Sequence, residues 1–205
     1  AAHGHGFLHR LDVPSSGLIL VARTYEAYYD LQLQLSAGEM VRDYVIASHG
    51  WVPPARMEID EPVRMPEGRP GSVGRGGKPA LTRLRVLGHG CRRGEAVSVA
   101  AVRISTGRRH QIRLHTAHVG HPTACDGKYS STAAFVADRG WCARNFLHRH
   151  RLRFRDAASV PQEALAPLPG RLADALRRLV PRDSESAAAF RQQGPRAWLG
   201  DWHDG

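Results

Sequence analysis

An α+β domain with a mixed, largely antiparallel sheet flanked by helices is the fold class that this 205-residue sequence predicts. Two observations carry it. The β-rich segments come in runs with helical patterns between them, which is the order of an α+β domain rather than of alternating βαβ units. The length suits one ordinary globular domain with at most a short appendage, and no internal repeat is visible.

The elements follow in order. Residues 18–22, Leu-Ile-Leu-Val-Ala, are β-rich and follow the turn formers Pro14, Ser15, Ser16 and Gly17, which predicts a buried strand. Thr24 is placed to cap a helix whose Ala27, Tyr28, Leu31 and Leu35 recur at helical spacing, with Gly38 as its stop. Residues 43–49 predict a second strand. Pro and Gly then supply eleven of the 29 residues from 52 to 80, which predicts a long surface excursion or hairpin. Residues 82–87 alternate Leu84 and Val86 with Arg83 and Arg85, a half-buried strand. A longer strand over 96–104 follows a glycine-bearing turn at 88–94. Gly107 breaks the chain before a predicted helix over 108–119, stopped by Gly120 and Pro122. Residues 151–154 predict a last short strand. Residues 168–180 set Leu172, Leu176 and Leu179 on one helical face before Pro181. From Arg182 onward the chain is polar and is expected to be a loosely packed tail. The expected division is therefore one domain over 1–170, with a C-terminal helix and polar tail over 171–205.

Composition excludes several classes. Hydrophobic residues at 42% and charged residues at 23% lie near globular averages, which argues against wholesale disorder. The longest apolar runs are a few residues, against about 20 for a membrane-spanning helix, so no membrane association is expected. No basic start followed by an apolar stretch marks a signal peptide. Three cysteines without CxxC spacing favour a reducing intracellular compartment, cytoplasm or organelle matrix. The net charge is +10, and residues 103–155 hold eleven basic residues against only Asp126 and Asp138. A basic stripe confined to one segment is the electrostatic footprint of a nucleic-acid binder, or else the solvated face of an Arg-rich protein.

Several short segments bear chemistry. In His9-Arg10-Leu11-Asp12 a carboxylate precedes a Pro-Ser-Ser-Gly turn, where backbone donors and a nearby arginine favour an ionised Asp12 able to act as nucleophile or base. The plainer reading is an Asx-turn residue. In residues 106–115, Thr-Gly-Arg-Arg-His-Gln-Ile-Arg-Leu-His, a helix would put Arg109 and Arg113, and His110 and Arg113, on one face suited to phosphate or carboxylate. Residues 120–129 form a loop dense in turn formers. Residues 145–150 lead into Leu152 and Phe154. Tyr44, on the strand with Arg42, offers a ring that could stack on a base or simply fill the core.

Taken together these segments resemble the RluA-type pseudouridine synthases. The resemblance spans residues 9–154, in the order and approximate spacing of that family. Its His-Arg-Leu-Asp and Ser-Gly turn correspond to residues 9–17, and its basic-x-Tyr-x-Ala strand to 42–47, with Arg42 where Lys is usual. Its Gly-Lys-x-Ala/Ser-x-Thr element corresponds to 77–82, and its Thr-Gly-Arg-x-His-Gln-Ile-Arg-x-His to 106–115. Its Gly-His-Pro-x-x-Gly-Asp corresponds to 120–126, with Cys125 replacing glycine, and its Leu-His-Ala-x-x-Leu-x-Phe to 147–154, with Arg149 in place of alanine.

The resemblance implies the catalytic fold of that family over 1–170, with an N-terminal edge truncated because only eight residues precede His9. It implies isomerisation of specific uridines in RNA, which needs no cofactor and no metal. Asp12 would attack C1′ or remove a ribose proton, Arg113 would pair with it, and Tyr44 would stack on the uracil and serve in proton transfer. Arg10 would help extrude the nucleotide, Arg108, His110 and Gln111 would hold phosphates and neighbouring bases, and Leu147 would line the pocket. The implied partner is RNA, ribosomal or transfer. With no S4-like module, target choice would rest on the catalytic domain, the 52–80 excursion, the tail or a ribonucleoprotein partner. Two other classes stay in view. A non-catalytic RNA-binding protein could keep the same fold. A metalloenzyme could use His3 and His5, His115, His118 and His121, or His148 and His150.

Overall fold

The computed structural model describes residues 6–53, 57–192, 194, 196–199 and 202. Its elements are β1 (Ser16–Gly17), α1 (Tyr25–Ser36), β2 (Val41–His49), β3 (Met57–Asp60), β4 (Val63–Arg64), β5 (Ser72–Val73), β6 (Leu81–Arg92), β7 (Glu95–Ile104), α2 (Gln111–His118), α3 (Thr132–Arg139), β8 (Leu147–Arg155), β9 (Pro161–Leu165), α4 (Gly170–Arg177), β10 (Val180–Pro181) and α5 (Ser184–Arg191). The main sheet runs β1-β8-β2-β7-β6-β10, with β3 added to β6 and β9 to β8. Every pairing is antiparallel except β1 with β8. This is the mixed, largely antiparallel sheet of an α+β fold.

The central strand β2 is buried from Arg42 to Ser48 because both faces of the sheet are covered. Val45 and Ala47 point into a core with Phe146, Leu172, Leu176, Phe190 and Trp198. Tyr44 and Ile46 point the other way, against Ile112, Leu147 and Val102. The second face carries the candidate site. No helix among the described residues is long and apolar enough to cross a membrane.

Several expectations change. Residues 18–22 form no strand; β1 lies just before them, and only Val21 makes an isolated bridge, to Phe7. The reason is competition for one edge. β1 pairs β8 at His148 and Arg149, and β9 occupies the same edge from Arg151 onward. The alternation still holds, since Leu18, Leu20 and Ala22 pack inward while Ile19 and Val21 stay exposed.

Helix α2 begins at Gln111 rather than at residue 108. His110 sits before it in the left-handed region at φ 55°, so Arg108 and Arg109 belong to the entering turn, not to the helix face with Arg113. The expected break at 88–94 shrinks to the turn Arg93 and Gly94, both at positive φ, as a two-residue hairpin requires. Gly88 and Gly90 instead stay in β6, where α5 presses Ser186 and Phe190 against them. The predicted C-terminal helix shortens to α4. The tail after Arg182 is not loose: Asp183 caps α5, and Phe190, Trp198 and Trp202 are buried. The Pro/Gly-rich excursion is folded down as β3 and the β4–β5 hairpin, with Val63 and Ala80 packed on Leu114 of α2.

Candidate active site

Asp12 lies in the loop before β1, and three neighbours hold that loop. Ser15 N–H donates to the Asp12 carbonyl at 2.8 Å, closing a turn. The Arg144 guanidinium donates to the carbonyls of Pro14 (3.0 Å), Val13 (3.4 Å) and Ser15. Gly17 closes the approach to β8, because a Cβ there would lie 2.3 Å from the Arg149 carbonyl oxygen and φ is +120°. The Asp12 loop is thus stapled to the start of β8.

Arg113, on the first turns of α2, faces two carboxylates. It donates Nε to Asp126 at 2.7 Å and Nη2 to the other Asp126 oxygen at 2.6 Å, and its remaining Nη1 reaches Asp12 at 3.2 Å. Arg113 and Asp126 are almost fully buried. Burial works against the Arg113 charge, but the hydrogen bonds and charges of Asp126 and Asp12 outweigh it and raise its pKa. Burial likewise opposes ionised Asp126, yet Arg113 and the backbone N–H groups of Lys128 and Tyr129 hold its pKa below the ordinary carboxylate value. His110 completes the group. Its Nε2 lies 3.8 Å from Asp12, its Nδ1 is 2.7 Å from the Tyr129 hydroxyl, and burial, with nearby arginines, lowers its pKa.

Tyr44 approaches from β2 and is 5% exposed. Its hydroxyl accepts Nε of Arg149 at 2.8 Å and Nη2 at 2.5 Å. Arg42 is buried beside it and donates to the Ser105 carbonyl at 2.7 Å, just before the Gly107 turn. A Cβ on Gly107 would lie 2.7 Å from Arg42 Nη1, so a larger residue there would push the end of that side chain aside.

Asp12, Arg42, Tyr44, His110 and Arg149 line one cavity of about 960 Å³ together with Arg10, Arg108 and Leu147, and Arg113 reaches it through its contact with Asp12. Of the residues singled out in the sequence, Arg10 and Arg108 are exposed at its edge, and Arg108 Nε donates to the Pro79 carbonyl at 2.9 Å. Gln111 departs from expectation. It is 2% exposed, its Oε1 accepts Thr106 Oγ (2.8 Å) and Arg108 N–H (3.0 Å), and its Nε2 donates to the Leu81 carbonyl and Thr82 Oγ. Its side chain closes the Arg108 turn and has no capacity left for a phosphate. Asp126, Arg144 and the pair Arg149–His9 received no role from the sequence, although all but Arg144 fall within its recognised motifs.

Three of the histidines weighed as metal ligands are hydrogen-bonded within the protein. His115 uses Thr82 Oγ and the Glu61 carbonyl, His121 the His49 carbonyl, and His148 Ser16 Oγ and the Ala166 carbonyl. Among the described residues no group of three or more potential ligands could hold a metal ion. His3 and His5 lie outside the described residues.

The cleft thus sets a carboxylate held by a buried arginine near a tyrosine on a mixed sheet. A sequence model of the family described as RNA pseudouridylate synthase matches residues 4–118, and the chain belongs to that family. It is 33% identical over 175 residues to ribosomal large subunit pseudouridine synthase D of Escherichia coli K12, covering 80% of this chain and 52% of that protein. It is 35% identical over 179 residues to ribosomal large subunit pseudouridine synthase C of Haemophilus ducreyi, covering 84% and 54%. The chain therefore spans about half the length of these relatives. Among solved structures, Human RNA Pseudouridylate Synthase Domain Containing 1 superposes with a TM-score of 0.74 at 26% identity, over 94% of this chain and 82% of that one.

Proposed function

We propose that this protein isomerises uridine in RNA to pseudouridine, with Asp12 as the reacting carboxylate. The N1–C1′ bond breaks, the uracil turns, C5 bonds to C1′, and the C5 proton is lost as N1 gains one. Atoms and electrons balance without cofactor or metal. The observation that supports this most directly is the contact between Asp12 in the cavity wall and Arg113: at 3.2 Å it orients the carboxylate and still leaves one oxygen of Asp12 free of Arg113. Tyr44 offers its ring and hydroxyl to the extruded base. Arg10 assists extrusion, because chemistry on a base requires it to leave the stack. Arg108 supplies charge for phosphate, His110 a neutral hydrogen-bonding ring, and Leu147 an apolar wall. The names of the curated relatives favour ribosomal RNA as the substrate, with transfer RNA the second class to assay.

The experiment compares wild type and Asp12→Asn for pseudouridine formed in ribosomal and transfer RNA. The expected outcome is loss of all turnover with RNA affinity kept within a few-fold, because phosphate contacts supply most of the affinity. Turnover near wild type would remove Asp12 from the reaction. Binding without any pseudouridine from the wild type would assign the chain to non-catalytic RNA binding.

A further inference from the structure

Arg149 stands directly opposite Tyr44 in the β2–β8 ladder, just past a bulge between Asp43 and Tyr44. It occupies the place where the resembled motif carries alanine, and a guanidinium there needs a reason. It is 4% exposed and, among the described residues, makes no ion pair with a carboxylate. A buried charge without a counter-charge is costly unless its donors are well used. They are: Nε and Nη2 both go to the Tyr44 hydroxyl, and Nη1 serves His9 Nδ1 at 2.8 Å and the Leu18 carbonyl at 3.1 Å. The guanidinium carbon also lies 5.0 Å from the Tyr44 ring centroid. His9 is suited to accept, since burial first, then Arg149 and Arg42, lower its pKa to about 3 and leave it neutral.

We infer that Arg149 is a positioning residue that fixes Tyr44 as a hydrogen-bond donor and ties it to the segment bearing Asp12. A phenol hydroxyl can accept hydrogen bonds and carries one proton to donate. Arg149 takes up its accepting capacity with two N–H groups, so the Tyr44 proton is what the hydroxyl has left to offer, and an acceptor on the bound uracil is its partner. The same guanidinium holds His9 and Leu18, which bracket Asp12 and Gly17. Tyr44 on β2 and the Asp12 loop are thereby set by one side chain. This inference rests on the reading that Tyr44 faces the uracil.

The test uses the full chain as Arg149→Met, Arg149→Lys and Tyr44→Phe, the double variant Tyr44→Phe/Arg149→Met, and exposed Arg153→Met as a charge control on the same strand. Arg149→Met is expected to lower kcat by at least about tenfold, with KM for RNA within about threefold, while Arg153→Met keeps kcat; losses of this order are common for proton-handling groups. Arg149→Lys, which keeps the charge but cannot present two N–H donors in a fixed fork, should fall between. The double variant should be slower than Tyr44→Phe by clearly less than Arg149→Met is slower than wild type, since the two residues share one interaction while Arg149 also holds His9 and Leu18. Losses that multiply, or an unchanged kcat in Arg149→Met, would overturn the inference. A readout independent of turnover separates it from the proposed activity: in protein labelled at tyrosine Cζ, the signal that Tyr44→Phe deletes should move in Arg149→Lys and stay in place in Arg153→Met. If the wild type made no pseudouridine but the signal moved, the activity would be wrong and the clamp on Tyr44 right; an unmoved signal in Arg149→Lys overturns the clamp.

Discussion

Arg113 carries one positive charge between two carboxylates, and the way it divides its donors matters to the chemistry. Asp126 takes the bidentate edge, Nε and Nη2, so Asp12 receives only Nη1 and keeps one oxygen clear of Arg113. A bidentate grip on Asp12 would engage both its oxygens. Asp126→Asn should therefore damage the site from behind. Losing one partner of a buried ion pair typically costs about 3–5 kcal/mol, and Arg113 is then free to turn both donors on Asp12. The expected outcome is a clear fall in melting temperature together with at least about tenfold lower kcat, with RNA binding largely kept; a normal kcat in a folded variant would show that Asp126 only supports the loop. Asp126 illustrates what the sequence shows at this scale. Its motif is recognisable, but its partner is thirteen positions away on another element, so only the fold reveals that it aims Arg113. Gln111 is the opposite case. Its place in an Arg-rich motif suggests phosphate binding, whereas the turn it closes has already used both ends of its amide.

Elements were legible where local signals were strong and unopposed. Thr24 caps α1 as its position predicts, accepting Ala27 N–H at 3.2 Å, and Gly38 stops it at φ +76°. β2, β6 and β7 follow from apolar and β-branched content, whereas β8, expected only over 151–154, begins at Leu147, because its first half is a His- and Arg-rich stretch with no β-branched residue and is held by pairing to β2. Failures occurred where another segment decided the outcome. Residues 18–22 lose their ladder to β9, α2 loses its first turn to the Gln111-closed loop, and α5 was hidden because Phe190 alone gives its polar sequence a large apolar anchor. Helix α1 also holds a feature that its inward periodicity conceals. Tyr25, Tyr29 and Leu33, four apart, leave their side chains 65%, 53% and 69% exposed, and Tyr29 and Leu33 line the same cavity as Asp12, Arg108 and Arg109. An aromatic beside arginines at a cavity mouth suits a base next to the target nucleotide. Stacking of one base is worth about 1–3 kcal/mol. Tyr29→Ala should therefore raise KM for RNA about tenfold, leave kcat within about twofold and leave melting temperature unchanged. An unchanged KM would return Tyr29 to ordinary surface.

Across the whole molecule, the histidines couple folding to pH. Burial lowers the pKa of His9, His89, His115 and His148, and of His110 despite the opposing charge of Asp12. Among the described residues, His49 shifts upward instead, through its hydrogen bond to Asp138 at 2.9 Å. The signs differ. A histidine with a depressed native pKa stabilises the fold above its unfolded value near 6.5, and that contribution is lost as pH falls, because the unfolded chain binds the proton first. For His9 the window of loss runs from about 6.5 down to about 3. His49 works in reverse: its contribution is present below about 6.5 and fades as pH rises through its raised native pKa. Asp126, with its lowered pKa, keeps its ion pair through this range and adds nothing to the slope. Among the described residues, five histidines thus oppose one on acidification. Each pH unit within a histidine's window is worth up to about 1.4 kcal/mol, and 1 kcal/mol shifts the melting temperature of a chain this size by roughly 2–4 °C. Scanning calorimetry from pH 7.5 to 5.5 should therefore show a fall of at least about 4 °C. His115→Gln, which can still hydrogen-bond but cannot take the proton, should flatten that fall. A melting temperature that stays level or rises on acidification would mean that these buried rings take up protons without cost.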